Sequence, residues 1–477
     1  MESHANFDLV VIGTGTAGSA AAAECRSRGW EVAIIDSLPF GGTCALRGCE
    51  PKKILQEAAK IIDSSQRHAG KGVGDSVPIQ IRWSDLIGYK RTLIGSFPKQ
   101  REEGYIKSGI VPFHGHAKFI GTTTVKVERD DGNGKNDTVL EGKHILIATG
   151  SSPANLTMQG TENIITSDEF LDFDADRLPD KIVFVGGGYI SFEFAHIAAH
   201  AGCKEVTILH RGRQPLGHFD PGLVGQLIHR SQDIGIDIRL QATVKRIDLS
   251  DDGEKIVVYS TTEVSAPKEE GKALKTLKAD MVVHGAGRVP NTKELNLTAG
   301  GIEYTDNGVK VNEFLQSISN PIVYAAGDVA ASPSGGSPLT PVASYDGIVA
   351  ANNMLHGNTN KTNYDGLPSV AFTIPTIASV GLHESEAIKQ GIRFKVNHKD
   401  TSGWYSSRRV GETCSGFKVL VEEGSDKILG AHLLGPHSEE VINLFSVAIR
   451  LGLTAKDLND PLLYAYPTNS SDIVYML

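Results

Sequence analysis

A chain of 477 residues is longer than the roughly 250–300 at which a single hydrophobic core stops growing, so two to four domains are expected. Hydrophobic residues make up 40% and charged residues 22%, and 47 Lys and Arg against 56 Asp and Glu leave a net charge of −9, which argues against nucleic acid or an anionic membrane as a partner. No apolar run approaches the ~20 residues of a membrane span, the N-terminus enters a strand without a basic leader, and three of the five cysteines, Cys25, Cys203 and Cys414, are scattered singly. A cytoplasmic protein acting on small molecules is expected.

The first element is an apolar strand, Phe7 to Ile12, running into Gly13-Thr14-Gly15-Thr16-Ala17-Gly18 and a helix of small residues. A second strand, EVAIID, ends on Asp36. Together these make a full dinucleotide fingerprint. Gly13 makes the tight turn, Gly15 lets the backbone approach a pyrophosphate, Gly18 permits close helix packing, and Asp36 can hold a ribose hydroxyl.

Next comes GGTCALRGCEPKK, residues 41–53, in which Cys44 and Cys49 lie a short turn apart. A catalytic disulfide needs Cα atoms ~4.4–6.8 Å apart, and four intervening residues in a loop-to-helix turn allow this. A helix N-terminus together with Lys52 and Lys53 would lower a thiol pKa. The layout is that of a redox dithiol; two structural cysteines that happen to be neighbours are the alternative.

Residues 116–149 alternate as strands broken by the polar turn RDDGNGKND, and close on ILIATGSSP, an apolar strand meeting glycine. A second fingerprint follows in KIVFVGGGYISFEFAHIAAHAG, residues 181–202, with Gly186 and Gly188 in the first two places and Ser191 in the third. Its second strand, VTILHRGR, carries no acid and is followed by Arg211 and Arg213. An arginine there can pair with a 2′-phosphate where an acid would repel it, so NADPH is favoured and NADH stays possible; both arginines as solvated loop charges is the alternative. The segment SAPKEEGKALKTLK, residues 265–278, reads as a charged hairpin excursion. ADMVVHGAGRVPNT then repeats the strand-to-glycine pattern, and IVYAAGDVA places Asp328 just beyond a buried strand, where it can bind a cofactor hydroxyl or cap a helix. From about residue 352 amphipathic strands and the helix EEVINLFSVAIRLGL form a separate α+β unit. No cysteine and histidine pair has zinc-site spacing, so no metal is expected.

GGTCALRGCEPKK, the two fingerprints, ATG at 148–150, GRVPNT at 287–292, AAGDV at 325–329, LTPVA at 339–343 and PTIASVGLHESEA at 375–387 resemble the flavoprotein disulfide reductases, the family of glutathione reductase, dihydrolipoamide dehydrogenase and mercuric reductase. The resemblance covers essentially the whole chain. It implies an α/β fold with two Rossmann-like domains, for FAD and NADPH, and a C-terminal α+β dimerisation domain in a homodimer. The expected segments are an FAD-binding domain in two parts, residues 1–152 and 286–351, an NAD(P)H-binding domain over 153–285 and a dimerisation domain over 352–477.

By the same resemblance, Gly13, Gly15, Gly18 and Asp36 would bind the ADP half of FAD and Asp328 its ribityl region, while Gly186, Gly188, Arg211 and Arg213 would bind NADPH. Tyr189 matches the tyrosine that covers the flavin until nicotinamide enters, and Lys52 with Glu193 matches an ion pair near the reactive end of the flavin. Further cofactor contacts are implied at Thr16, Ala17, Gly42, Thr43, Lys53, Thr149, Gly150, Ile190, Gly287, Arg288, Gly327, Leu339, Thr340 and Pro341. Hydride would pass from NADPH to the flavin, then electrons to the disulfide by way of Cys49, the charge-transfer thiolate, leaving Cys44 as the interchange thiol that meets the acceptor.

The chain departs from the family at its end. The family motif HPTxxE supplies a histidine and glutamate that protonate a leaving thiolate across the dimer. Here the sequence is Tyr466-Pro467-Thr468-Asn469-Ser470-Ser471-Asp472, with tyrosine for the histidine, serine for the glutamate and Asp472 one place late. A free tyrosine titrates near ~10 and is a poor proton shuttle at pH 7. The arginines that hold glutathione are replaced by Ala23 and Ile348. A small-molecule disulfide other than glutathione disulfide is therefore the first expectation for the acceptor. A metal ion (Hg²⁺ or Cu²⁺) or a quinone is the second, since tyrosine at that position is similar to mercuric reductase, although SSDIVYML lacks the extra cysteine pair. A redox-sensing flavoprotein without sustained turnover is the third.

Overall fold

A computed structural model describes residues 3–74, 79–129, 137–261 and 274–477. The body of the polar turn expected at 129–137 and most of the charged excursion at 265–278 lie outside the described residues. The chain divides into two compact units: Met1–Lys52, Tyr89–Ala154 and Arg288–Tyr364 form the first, and Lys53–Gly88, Asn155–Gly287 and Asp365–Leu477 the second.

The first unit is built on a mixed sheet. Its strand Ser3–Ile12 pairs in parallel with Val32–Asp36 on one side and Thr138–Ile147 on the other. Leu9, Val10 and Val11 are buried without alternation, as expected of a strand covered on both faces. The strand Thr138–Ile147 changes partner along its free edge. Its first residues run antiparallel to Thr124–Glu128, and its last three run parallel to Val323–Ala325. One ten-residue strand thus joins three sequence segments into one core. The helix Thr16–Ser27 turns Ala17, Gly18, Ala21, Ala22 and Cys25 inward. Side chains this small let another helix, Thr340–His356, come close enough that a Cβ added at Gly347 would lie 2.3 Å from the Ala17 carbonyl oxygen.

The second unit has a four-stranded parallel sheet in the order Ile236–Arg239, Glu205–Leu209, Lys181–Val185, Met281–His284. A three-stranded antiparallel sheet is inserted in the chain between the strands Ile236–Arg239 and Met281–His284 of this layer, and its strand Leu274–Ala279 contains the described end of the charged excursion. The C-terminal part is a five-stranded antiparallel sheet with the helix Ser438–Leu451 against it. That helix buries Val441, Ile442, Phe445 and Ala448, while Leu444, Val447 and Leu451 on its other face are exposed. Among the described residues no helix is long and apolar enough to cross a membrane.

Candidate functional site

In the first unit the glycine turn is anchored to the strand beside it. The Gly13 N–H donates to the Ile35 carbonyl at 2.7 Å, and the Asp36 carboxylate accepts both the Thr14 N–H (2.9 Å) and the Thr14 hydroxyl (2.6 Å). Thr14 Oγ1 in turn accepts the Gly41 N–H at 3.1 Å, so a fully buried threonine ties the fingerprint, the acidic strand end and the start of the dithiol segment together. Sequence reasoning passed over Thr14 because it fills a variable place in the fingerprint.

Helix Thr16–Ser27 begins at Gly15 with no side-chain cap, so the N–H groups of its first turn are open to an anion. A Cβ on Gly15 would find nothing nearer than the Gly42 Cα at 4.0 Å, which leaves backbone exposed to a ligand there. At Gly18 a Cβ would fall 2.0 Å from the Gly13 carbonyl oxygen. These residues fit the pyrophosphate and ribose of a dinucleotide. Gly18→Val is expected to separate helix from turn, so that of the FAD the resemblance implies here less than about a tenth of the wild-type amount is retained, since a clash of this kind is not relieved by side-chain rotation. Flavin absorbance per mole of protein measures this, and a fully yellow variant would remove Gly18 from the site.

The dithiol lies where two helices meet. Gly42, Thr43 and Cys44 are in the short helix Gly42–Arg47, Gly48 breaks it, and Cys49 starts the 20-residue helix Cys49–His68, with Lys52 in its first turn. Cys49 Sγ lies 3.4 Å from Thr340 Oγ1, at the start of the helix Thr340–His356, with Leu339 before it and Pro341 after it. The Cys44 thiol is hydrogen-bonded to Cys49, and this, with burial, pushes its pKa up; the Thr340 hydroxyl opposes the shift. The expected lowering of a thiol pKa therefore does not apply to Cys44, because a proton shared with Cys49 outweighs the helix terminus and lysines. Cys49, at the helix N-terminus, is placed to accept that proton.

The first unit arranges further polar groups. Asp328 sits in the 3₁₀ turn Gly327–Val329, its Oδ2 accepting the Ser151 hydroxyl at 2.7 Å, and Arg288 donates to the Ser151 carbonyl at 2.6 Å. Thr149 and Asn291 exchange hydrogen bonds of 2.8 and 2.9 Å, and the Asn291 N–H donates to the Gly150 carbonyl. Asp346 was not anticipated. Buried in helix Thr340–His356, it accepts the Gly327 N–H (3.2 Å) and the Tyr364 hydroxyl (2.8 Å), and burial, reinforced by the Asp328 charge, raises its pKa to about 6.

The second unit repeats the glycine turn. Gly186 is anchored to the parallel strand as Gly13 is, its N–H donating to the Leu209 carbonyl at 2.9 Å. Gly188 precedes the helix Tyr189–His200 without a side-chain cap, Ser191 is buried in the third place, and Tyr189 and Ile190 open the helix, the tyrosine exposed. Arg211 and Arg213 are both exposed beyond the strand, and Gly287 has a φ of +113° at the end of the unit. Glu193 is buried on the same helix and accepts the Phe372 N–H at 2.8 Å. Lys53 donates to Gln56 at 2.8 Å and lies 4.0 Å over the Phe372 ring.

At the C-terminus Tyr466 is 83% exposed on the chain. Arg409 holds the following turn through the Pro467 carbonyl and Asn469 Oδ1, each at 3.2 Å. The Ser471 hydroxyl turns back to the Thr468 carbonyl at 2.6 Å, and Asp472, whose pKa burial raises, is hydrogen-bonded by Ser406. Both residues that could have stood in for the glutamate are thus engaged, Ser471 within its own turn and Asp472 by Ser406. Among the described residues no group of three or more His, Cys, Asp and Glu side chains could hold a metal ion.

Residues 7–347 match the family of pyridine nucleotide-disulphide oxidoreductases, and residues 367–477 match the dimerisation domain of that family. The chain is 32% identical to a mercuric reductase of Lysinibacillus sphaericus over 96% of this chain and 80% of that protein. It is equally 32% identical to a glutathione reductase of Burkholderia cepacia, over 98% of each. Among solved structures, the Cu(II) complex of the HOCl-induced flavoprotein disulfide reductase RclA from Escherichia coli superimposes with a TM-score of 0.84, at 25% identity and 99% coverage of both chains.

Proposed function

The chain belongs to the pyridine nucleotide-disulphide oxidoreductases, and from that premise we propose that it is an NADPH-dependent reductase whose Cys44–Cys49 dithiol delivers electrons to a small-molecule disulfide other than glutathione disulfide. As an enzyme of this family it works with FAD and NAD(P)H. Bound FAD supplies two-electron exchange between the reduced nicotinamide and the dithiol. The observation that carries the reading is the Cys44 thiol hydrogen-bonded to Cys49, with the Thr340 hydroxyl against both sulfurs.

That arrangement supports thiol–disulfide exchange in two steps. Cys49 takes the Cys44 proton, and the Cys44 thiolate attacks the acceptor disulfide, forming a mixed disulfide and releasing one thiolate. Cys49 gives that proton to the released thiolate and, now a thiolate itself, attacks the Cys44 sulfur, which closes the Cys44–Cys49 disulfide and expels the second thiolate, protonated from solvent. The net reaction converts RSSR, NADPH and a proton to two RSH and NADP⁺. Ala23 and Ile348 offer glutathione carboxylates no cation, which supports a different disulfide.

We assign FAD to the first glycine turn with Asp36 and Asp328, and the nicotinamide coenzyme to the second turn with Arg211 and Arg213. A homodimer is the fitting assembly. Leu444, Val447 and Leu451 continue one apolar face, and Leu462 (91% exposed), Leu463 and Tyr466 add to the uncovered apolar surface of the same matched dimerisation domain.

A soft metal ion is a second reading, with a quinone as the related case. It is favoured by Tyr466 in the histidine's place, by Ser471 turned back on its own turn, and by the likeness to mercuric reductases and to a copper-bound relative. Thiolate ligands suit such a cation, and reducing it needs no protonated leaving group. NADPH oxidation with glutathione disulfide, lipoamide, coenzyme A disulfide, cystine, Hg²⁺, Cu²⁺ and a benzoquinone separates the readings. Turnover on one disulfide is the expected result. Turnover confined to metals or quinones would transfer the assignment to the second reading, and flavin reduction with no acceptor consuming it would sink both.

A further inference from the structure

The two glycine turns can be superposed through their own hydrogen bonds. Ile12 pairs with Ile35 and the Gly13 N–H donates to the Ile35 carbonyl; Val185 pairs with Leu209 and the Gly186 N–H donates to the Leu209 carbonyl. Ile35 therefore corresponds to Leu209, and the next residues along, Asp36 and His210, occupy the same place at the end of the second strand. By the same register Thr14 corresponds to Gly187. Where the first unit has a threonine bonded to an aspartate, the second has a glycine facing an imidazole.

The exchange is sterically coupled. A Cβ at Gly187 would lie 2.5 Å from both Cγ and Nδ1 of His210, so the ring rests on the glycine turn and only glycine leaves it room. His210 is fixed on all sides: its N–H donates to the Arg239 carbonyl, its carbonyl accepts from Ala242, and its Nε2 is 3.0 Å from the Gln214 carbonyl oxygen. A carbonyl only accepts, so Nε2 carries a hydrogen and, in the neutral ring, Nδ1 is left as an acceptor facing the turn.

We propose that His210 reads the adenosine ribose of the nicotinamide coenzyme and makes the choice between NADPH and NADH depend on pH. This rests on the assignment of the second glycine turn to that coenzyme. Neutral His210 accepts a hydrogen bond from a free 2′-hydroxyl, the part Asp36 can play in the first unit. Protonated His210 donates from Nδ1 to a 2′-phosphate in a charge-assisted bond, and it no longer accepts from the hydroxyl. Preference for the phosphorylated coenzyme therefore rises as pH falls.

The charged groups facing the ring are consistent with a proton gained only when a phosphate arrives. Arg211 and Arg213 follow it on its own loop; on the adjoining strand Arg239 is paired with Asp237 at 2.7 Å; and Gly186–Gly188 beneath it carry nothing titratable. Burial and Arg211 together hold the imidazole below its ordinary pKa, and a phosphate dianion would push it back up.

Equilibrium binding of NADP⁺ and NAD⁺ to the FAD-loaded protein by titration calorimetry tests this without turnover. The window is pH 6 to 8, from the phosphate's own second pKa of about 6 upward. The ratio of the NAD⁺ to the NADP⁺ dissociation constant is expected to rise about tenfold from pH 8 to pH 6, the scale of one charge-assisted hydrogen bond. In His210→Gln, which hydrogen-bonds without titrating, the ratio should move less than about twofold. His210→Asp, which restores the acid of the first turn, should prefer NAD⁺ at every pH. A flat ratio in the wild type, or an unchanged slope in His210→Gln, would overturn the role of His210. Failure of the wild type to bind either dinucleotide would overturn the coenzyme assignment and the proposal with it.

Discussion

Cys44→Ser is expected to lower disulfide-dependent NADPH oxidation by at least ~10³-fold, the scale on which loss of a covalent nucleophile acts. In the proposed exchange the sulfur it removes is the one that bonds the acceptor, and a serine hydroxyl at this position neither forms a mixed disulfide nor gives Cys49 a sulfur to attack. Reduction of the flavin by NADPH should survive, because the dinucleotide turns in both units owe nothing to Cys44. Stopped-flow flavin bleaching beside steady-state disulfide turnover gives both readouts from one preparation. Benzoquinone reduction should also persist, since it needs no thiol. Disulfide turnover within about tenfold of wild type would mean that Cys44 is not the thiol that meets the acceptor.

The largest stability effect is expected away from the chemistry, at Asp63. This carboxylate is 1% exposed and receives Arg67 Nε and Arg230 Nη2, each at 2.6 Å, with His200 Nε2 at 3.5 Å. Arg67 also donates to the Val410 carbonyl and lies 3.9 Å from Glu412, so two half-buried guanidinium groups are organised by one buried carboxylate. Asp63→Asn keeps the shape and removes the charge, leaving both arginines under-compensated in the interior. Breaking a buried pair from one side costs about 3–5 kcal/mol, which for a unit of this size lowers the Tm by roughly 10 °C.

The pH dependence follows from the same contacts. Although burial opposes ionisation, the nearby His200 ring, the Arg67 hydrogen bond and both guanidinium charges outweigh it and hold the Asp63 pKa down to about 2. An unfolded aspartate titrates near ~3.9. A depressed folded pKa contributes stability that is fully present above the unfolded value and is lost as pH falls through the folded one. The Tm gap between wild type and Asp63→Asn should thus be full at pH 7 and begin to narrow below about pH 4. A gap under about 1 °C at neutral pH would show that the cluster is not held by this carboxylate.

Legibility followed the range of the interactions. Gly13, Gly15 and Gly18 were readable because their spacing lies within six residues, and for Gly18 the steric demand is itself local, a Cβ there falling 2.0 Å from the Gly13 carbonyl oxygen, whereas Gly13 is crowded by the distant Ala148 carbonyl at 2.3 Å. The dithiol was readable for the same reason, being one turn of chain. His210 was harder to see. The missing acid drew the eye to Arg211 and Arg213, whereas matching the end of the second strand to Asp36, residue by residue, would have pointed to the imidazole. Asp346 gave no local sign at all: its partners Gly327 and Tyr364 lie 19 and 18 residues away on separate segments.

By itself the sequence determined the two strand–glycine–helix turns, the spacing of Cys44 and Cys49, and the absence of an imidazole near the C-terminus, all properties of short stretches of chain. Only the tertiary structure decided that Cys44 keeps its proton against Cys49 and Thr340, that Ser471 is spent within its own turn, that Asp63 gathers arginines from two helices, and that His210 lies on Gly187. Each of these depends on which distant segment arrives beside a given side chain or on how far the packed chain buries it, and pairing, burial and the resulting shift of a proton are set by packing that no local pattern encodes.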